Sequence, residues 1–143
     1  MRLSSGSALP SRALSRLAGV TAAQLALARA GAGVSMITQP TVLPRALGVD
    51  SASAATMAWS TRMLGAREIA LGLGAFTALR SSDRRASRLW LLAGLFSDGV
   101  DAVAVASGTA RRRLHPVSGA AVTALACGAV VVQLAELRGR HSG

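Results

Sequence analysis

The sequence predicts an all-α protein: four transmembrane helices in an up-down-up-down bundle, with both termini on the same side. Three observations predict it. Of 143 residues, 51% are hydrophobic and 15% charged, against roughly 25% charged in a soluble domain. That is too little charge to coat a soluble protein of this length, and mean hydropathy is +0.44. The apolar stretches are built from Ala, Leu, Val and Gly, with two Trp, two Phe and no Tyr. Such small residues let helix backbones approach closely in lipid, where packing drives association. Finally, these residues fall into four runs, each close to the ~20 residues that span hydrocarbon, with no alternation of period two.

Residues 1–16 are rich in Ser and Arg, with Arg2, Arg12 and Arg16, and read as a flexible basic N-terminal tail. The first helix is expected over about 17–37, interrupted only by Gln24 and Arg29. Pro40 and Pro44 end it, because proline lacks the N–H that continues the helical ladder. Residues 41–49 read as a short interfacial turn or helix. Residues 50–61 are small and polar, with Trp59 suited to the headgroup level. The second helix is expected over 63–79, followed by 80–88 as a tight basic loop. The third, over 89–107, opens with Trp90 and is broken by Gly108 and Arg111-Arg112-Arg113. The fourth, over 117–137, is introduced by Pro116, a good first-turn residue. Residues 17–137 thus form one membrane domain, and 138–143 a C-terminal tail with Arg138, Arg140 and His141. A cleaved signal peptide competes at the N-terminus, since Arg12 and Arg16 precede an apolar stretch and Ala26-Leu27-Ala28 resembles a cleavage site. The apolar run continues past that site to Ile37, which favours a retained helix.

The net charge is +10, and all 16 basic residues are Arg. They cluster between apolar runs, with no aromatic interleaving and no nucleic-acid module, so the expected partner is the lipid bilayer and not nucleic acid. Four spans put both termini and the 80–88 loop on one side, which carries Arg2, Arg12, Arg16, Arg80, Arg84, Arg85, Arg88, Arg138 and Arg140. The other side carries Arg45, Arg62 and the 111–113 cluster. This excess predicts both termini in the cytoplasm.

Five charged residues fall inside the expected spans: Arg29, Arg67, Glu68, Asp98 and Asp101. A charge at the bilayer centre costs about 2.5–3.5 kcal/mol even on the mild insertion scale, so these residues must face the bundle interior and pair. At about 1.5 Å rise per residue, all five fall in one layer, in the non-cytoplasmic half. Asp98 and Asp101 share a helix face. Glu68 is expected to pair with Arg29, and Arg67 to meet the two aspartates. Two arginines against three carboxylates leave one negative charge, so either Arg62 at the rim supplies the balance or one carboxyl carries a proton.

Other residues carry weaker signals. Cys127 is alone in an apolar helix, where packing is expected, and a single Cys excludes an internal disulfide. His115 and His141 lie in no metal-ligand pattern, and no cofactor or metal is expected. Gly72 and Gly74 read as close-packing positions. Gly31-x-x-x-Ser35, Gly94-x-x-x-Asp98 and Ala124-x-x-x-Gly128 have spacings that permit close helix contact. No nucleophile–base pair stands out, so an enzyme is a minority reading.

The stretch Arg62-Met-Leu-Gly-Ala-Arg67-Glu68-Ile-Ala-Leu-Gly72, followed by Ser97-Asp98-Gly-Val-Asp101-Ala, combines a Gly-x-Arg-Asp/Glu motif with an Asp-x-x-Asp motif. With Arg29-Ala-Gly31 and Pro44, it resembles an uncharacterised, domain-of-unknown-function family of small four-helix bacterial membrane proteins common in actinobacteria. The resemblance spans roughly residues 20–135 and implies a fold and a bacterial plasma-membrane location, with no activity attached. The leading functional expectation is a structural or accessory membrane protein, alone, self-associated or in a membrane complex, held by a buried Arg–carboxylate network. The alternatives are a small transporter or ion- or proton-coupled binding protein using the Asp/Arg cluster, and a membrane enzyme acting on a lipid-soluble substrate. A water-accessible cavity touching the aspartates would favour the transporter or binding protein, and a dry, fully paired core the structural protein.

Overall fold

A computed structural model of the chain describes residues 21–139. The expected N-terminal tail, the start of the first run, Arg140 and His141 lie outside the described residues. The described chain is all-helical, with six helices: α1 (Ala22–Thr38), α2 (Val42–Ala46), α3 (Ser51–Thr56), α4 (Ala58–Arg80), α5 (Arg84–Ala110) and α6 (Pro116–Gly139).

Local chemistry sets the helix ends. Thr21 caps α1 in a reciprocal capping box: its hydroxyl accepts from the Gln24 N–H, and the Gln24 side chain accepts from the Thr21 N–H. Pro40 follows the α1 C-cap, Gln39, and Pro44 sits in the first turn of α2, where a missing N–H costs nothing. Asp50 caps α3 by accepting from the Ala52 and Ser53 N–H groups. Those bonds to its carboxylate hold the Asp50 carboxyl below its ordinary value. Asp83 caps α5 in the same way through Arg85 and Ala86.

These caps carry the helices past the apolar runs. The expected second helix, 63–79, starts instead at Ala58, because the Ser60 and Thr61 hydroxyls donate to the Met57 carbonyl and are satisfied within the helix. The expected basic loop 80–88 shrinks to Ser81, Ser82 and Asp83, and Arg84, Arg85 and Arg88 become α5 residues. The small polar stretch after Asp50 forms α3 and the start of α4.

The long helices pack as antiparallel neighbours: α1 on α4, α4 on α5 and α5 on α6. Between α1 and α4 the backbones nearly touch. A Cβ on Gly33 would stand 2.5 Å from the Gly65 carbonyl oxygen, and one on Gly72 would stand 2.5 Å from that of Ala26. A Cβ on Gly74 would meet the Trp90 ring at 2.5 Å, so both glycines expected to pack closely do so. Gly31 and Gly128 instead face open space, so two of the three small-residue spacings mediate no close approach within the chain. Cys127 is exposed rather than packed.

Burial is inverted relative to a soluble fold. The buried apolar residues are Ala22, Ala26, Ala54, Ala78 and Leu91, whereas Thr61, Glu68, Ser87, Ser97, Asp98 and Gln133 are buried polar residues. Phe96 is 75% exposed, Leu125 74% and Val103 67%. Water would penalise that surface at roughly 25 cal/mol per Å² of apolar area, and such patches mark sites of contact with a membrane or another protein. Among the described residues, two helices, α5 and residues Pro116–Arg138 of α6, are long and apolar enough to cross a membrane, with mean hydropathy 1.6 and 1.9. That is fewer than the four expected. The remaining long helices are weaker by composition: α1 has 17 residues, and α4 carries Arg62, Arg67, Glu68 and Arg80.

Candidate functional site

The five charged residues singled out in the sequence form one continuous chain of hydrogen bonds across the middle of the molecule. Arg29 lies near the centre of α1, Arg67 and Glu68 near the centre of α4, and Asp98 and Asp101 just past the centre of α5. The layer is therefore at mid-height. The sequence places it nearer one end because the second and third apolar runs are shorter than α4 and α5, and because the first run begins before Ala22.

Packing by small residues makes the site geometrically attainable. Gly33 and Gly65 bring α1 and α4 into backbone contact, and they stand one helical turn from Arg29 and Glu68 respectively. Gly94, one turn from Asp98, makes room for side chains instead: a Cβ there would stand 2.5 Å from the Gln133 Oε1 and 3.2 Å from the Arg29 Nη1. Any larger residue at 94 would occupy the space that these two side chains use.

Arg29 is the hub. Its Nε donates to Glu68 Oε2 at 2.5 Å, and its Nη2 to Glu68 Oε1 at 3.4 Å. Its Nη2 also donates to Asp98 Oδ1 at 2.5 Å, and its Nη1 to Asp98 Oδ2 at 3.1 Å. The planar guanidinium thus grips two carboxylates on two different helices, a geometry that Lys lacks. The side chains of Arg29, Glu68 and Asp98 are 11%, 11% and 10% exposed. Gln133 of α6 completes the layer by donating to Asp98 Oδ2 at 2.6 Å.

The outer end of the chain is looser. Arg67 donates to Asp101 Oδ2 at 2.5 Å and to Glu68 Oε1 at 3.2 Å, with Arg67 and Asp101 39% and 35% exposed. The expected Arg29–Glu68 and Arg67–Asp101 pairs form. Asp98 differs from the expectation: it turns to Arg29 and Gln133, although it shares a helix face with Asp101. Arg62 is exposed and takes part in no ion pair among the described residues, so it does not balance the cluster.

Gln133 went unnoticed in the sequence. Its signal was an amide side chain within the most apolar run, where an unpaired polar group is costly.

The layer is bordered by a cavity of about 400 Å³ between α1, α4, α5 and α6. Arg29, Glu68, Asp98 and Asp101 line its polar side, and residues such as Met36, Leu47 and Leu125 line the rest. Leu43 and Leu47 close one end, where the His115 N–H donates to the Leu47 carbonyl at 2.8 Å. On the other side of Arg29 lies a void of about 20 Å³, bordered also by Gln133, Trp90 and Ala22. That is room for about one water molecule. Among the described residues, no group of His, Cys, Asp and Glu is arranged to hold a metal ion.

No curated protein and no solved structure matches the chain. Residues 26–134, which include every member of the network, match the family described as Domain of unknown function (DUF4267), and the chain belongs to that family.

Proposed function

We propose that the protein is an integral membrane protein whose four long helices form a transmembrane bundle, and that the bundle binds a small molecule in the cavity beside the Arg–carboxylate layer. The inverted burial supports membrane insertion of all four helices. Arg29 of α1 and Arg67 and Glu68 of α4 are paired within the bundle, while Leu27, Val34, Met63 and Leu73 remain exposed for lipid. The arginine distribution supports both termini, and the short turn after α4, facing the cytoplasm.

One observation favours binding over a purely structural role: the cavity of about 400 Å³ is walled by apolar side chains and has three carboxylates on one side. Small-molecule sites are concave, mostly apolar, and carry a few fixed polar groups. The network itself serves both purposes, since it ties α1, α4, α5 and α6 together and builds the polar side of the site.

Thiol access tests this reading. In a Cys127→Ser background, Ala126→Cys places a thiol on the cavity wall. We expect a water-soluble methanethiosulfonate to label it in membranes, and Ala126→Phe to close the space. Failure of labelling in both membranes and detergent would show a closed, dry core and would leave only the structural role.

A further inference from the structure

Building on that cavity, we infer that its occupant is a small amphiphilic monocation, an alkyl- or aryl-ammonium whose charged group sits against Asp101 and whose apolar part lies along the α1 and α6 wall. The first observation is the charge count. Three carboxylates face two guanidiniums, and Arg62 stands outside the layer.

The layer's unfilled acceptor is localised. Both oxygens of Glu68 and both of Asp98 accept hydrogen bonds from Arg29, Arg67 or Gln133. Asp101 accepts through Oδ2 alone, from Arg67. Its Oδ1 has no donor among the described residues, and Asp101 lines the cavity with its side chain 35% exposed. The layer as a whole thus carries one uncompensated negative charge, and its unused acceptor lies on Asp101, at the cavity surface.

Charge complementarity then selects the occupant. One positive charge neutralises the layer. An anion would add to the excess negative charge, and a dication would reverse it at similar cost in a medium of low dielectric. A neutral ligand would leave the imbalance in place. The apolar remainder of the wall, including Leu25, Met36, Val122 and Leu125, calls for a hydrophobic body. Depth points to a free small molecule rather than a lipid headgroup. Asp101 lies nine residues before the end of α5 at Ala110, about 14 Å along the axis, whereas headgroups stay at the surface.

The test is calorimetric titration of the full-length protein, purified in a nonionic detergent, with three probes of one shape. These are benzyltrimethylammonium, its neutral carbon isostere 2,2-dimethylpropylbenzene, and benzylsulfonate. We expect the cation to bind at least about tenfold more tightly than the other two, a difference of 1.4 kcal/mol. Asp101→Asn should remove that preference, and Ala126→Phe should abolish binding. If cation and neutral isostere bind the wild type equally, the inference about charge is overturned while the cavity reading survives. If no probe binds, or Ala126→Phe leaves binding unchanged, the cavity reading falls and this inference with it. The wild-type comparison needs no variant in the charged layer, so a failure of Asp101→Asn to fold does not shelter the inference. Loss of cation binding in phosphatidylethanolamine nanodiscs, but not in phosphatidylglycerol ones, would identify a lipid amine as the occupant and overturn the small-molecule source.

Discussion

The two ends of the charged layer should differ sharply in energetic coupling, and a pair of double-mutant cycles would measure the difference. The first cycle takes Arg29→Met, Asp98→Asn and the double variant. Arg29 meets Asp98 through two contacts, 2.5 and 3.1 Å, between side chains 11% and 10% exposed. Close, desolvated charge pairs couple by about 1.5–3 kcal/mol in such cycles. Arg29→Met alone also leaves Glu68 and Asp98 buried without their guanidinium, a loss of about 3–5 kcal/mol. The second cycle takes Arg67→Gln, Asp101→Asn and the double. That pair is joined by one 2.5 Å contact between side chains 39% and 35% exposed, so solvent screening limits its coupling to about 0–1 kcal/mol. Reversible unfolding by dodecyl sulfate in mixed micelles, followed by circular dichroism, gives the free energies. Additive losses at Arg29–Asp98, or stronger coupling at Arg67–Asp101, would refute the assignment of Arg29 as the hub.

Three further outcomes follow from the same geometry. Gly33→Ala drives a Cβ against the Gly65 carbonyl oxygen and the Ile69 N–H and should cost about 1–3 kcal/mol. Gly31→Ala faces open space and should gain about 0.4–1 kcal/mol; equal effects in the same unfolding assay would contradict the backbone contact between α1 and α4. Gln133→Leu removes a 2.6 Å hydrogen bond to a carboxylate and should cost about 1.5–3 kcal/mol, whereas Gln133→Glu should lose more by setting a second carboxyl beside Asp98; a neutral Gln133→Leu would mean that the bond contributes nothing. The Asp50 cap of α3 should depend on pH. Its carboxyl lies below the ordinary 3.8, so its contribution is complete above that value and disappears as pH falls through the lowered one. The protection of the Ala52 and Ser53 amides against hydrogen exchange, taken relative to their intrinsic rates, should fall across that interval, and Asp50→Asn should abolish the dependence.

Much of this arrangement was readable in the sequence, for a physical reason. Five charges within apolar runs have to meet one another, so Arg29, Arg67, Glu68, Asp98 and Asp101 identified themselves by the cost of leaving them alone. Their wiring was less legible. Whether Asp98 meets Arg29 or Arg67 depends on how α1 approaches α5, which is set by the close contacts of Gly33, Gly65 and Gly94. Glycine is frequent throughout these helices, and the spacing that places Gly94 beside Gln133 also places Gly31 beside nothing. Helix ends were misjudged because hydropathy reports where lipid contacts begin, not where the hydrogen-bond ladder does. Ser60, Thr61 and Arg84 are polar and helical together, their extension depending on self-satisfied hydroxyls and the Asp83 cap.

The position of the layer gives its two halves different meanings. In the proposed membrane bundle, solvation by headgroups and bulk water is most remote at mid-height, so charge has to be compensated locally. Arg29 bonds both Glu68 and Asp98, offsetting one of their two charges, and with Gln133 it already joins α1, α4, α5 and α6. Register between α4 and α5 is fixed again near their connecting turn, where the buried Ser87 hydroxyl donates to the Ala78 carbonyl at 2.8 Å. Asp101 and Arg67 therefore add little to holding the helices together, yet they place two more charged groups at a depth where apolar side chains would be easier to accommodate. A residue kept for stability alone would be expected in the dry half of the layer, with every acceptor filled. Asp101 has the opposite properties: it is half-open, lines the cavity and is bonded through one oxygen. Function, on this argument, belongs to the end of the network that stability does not require.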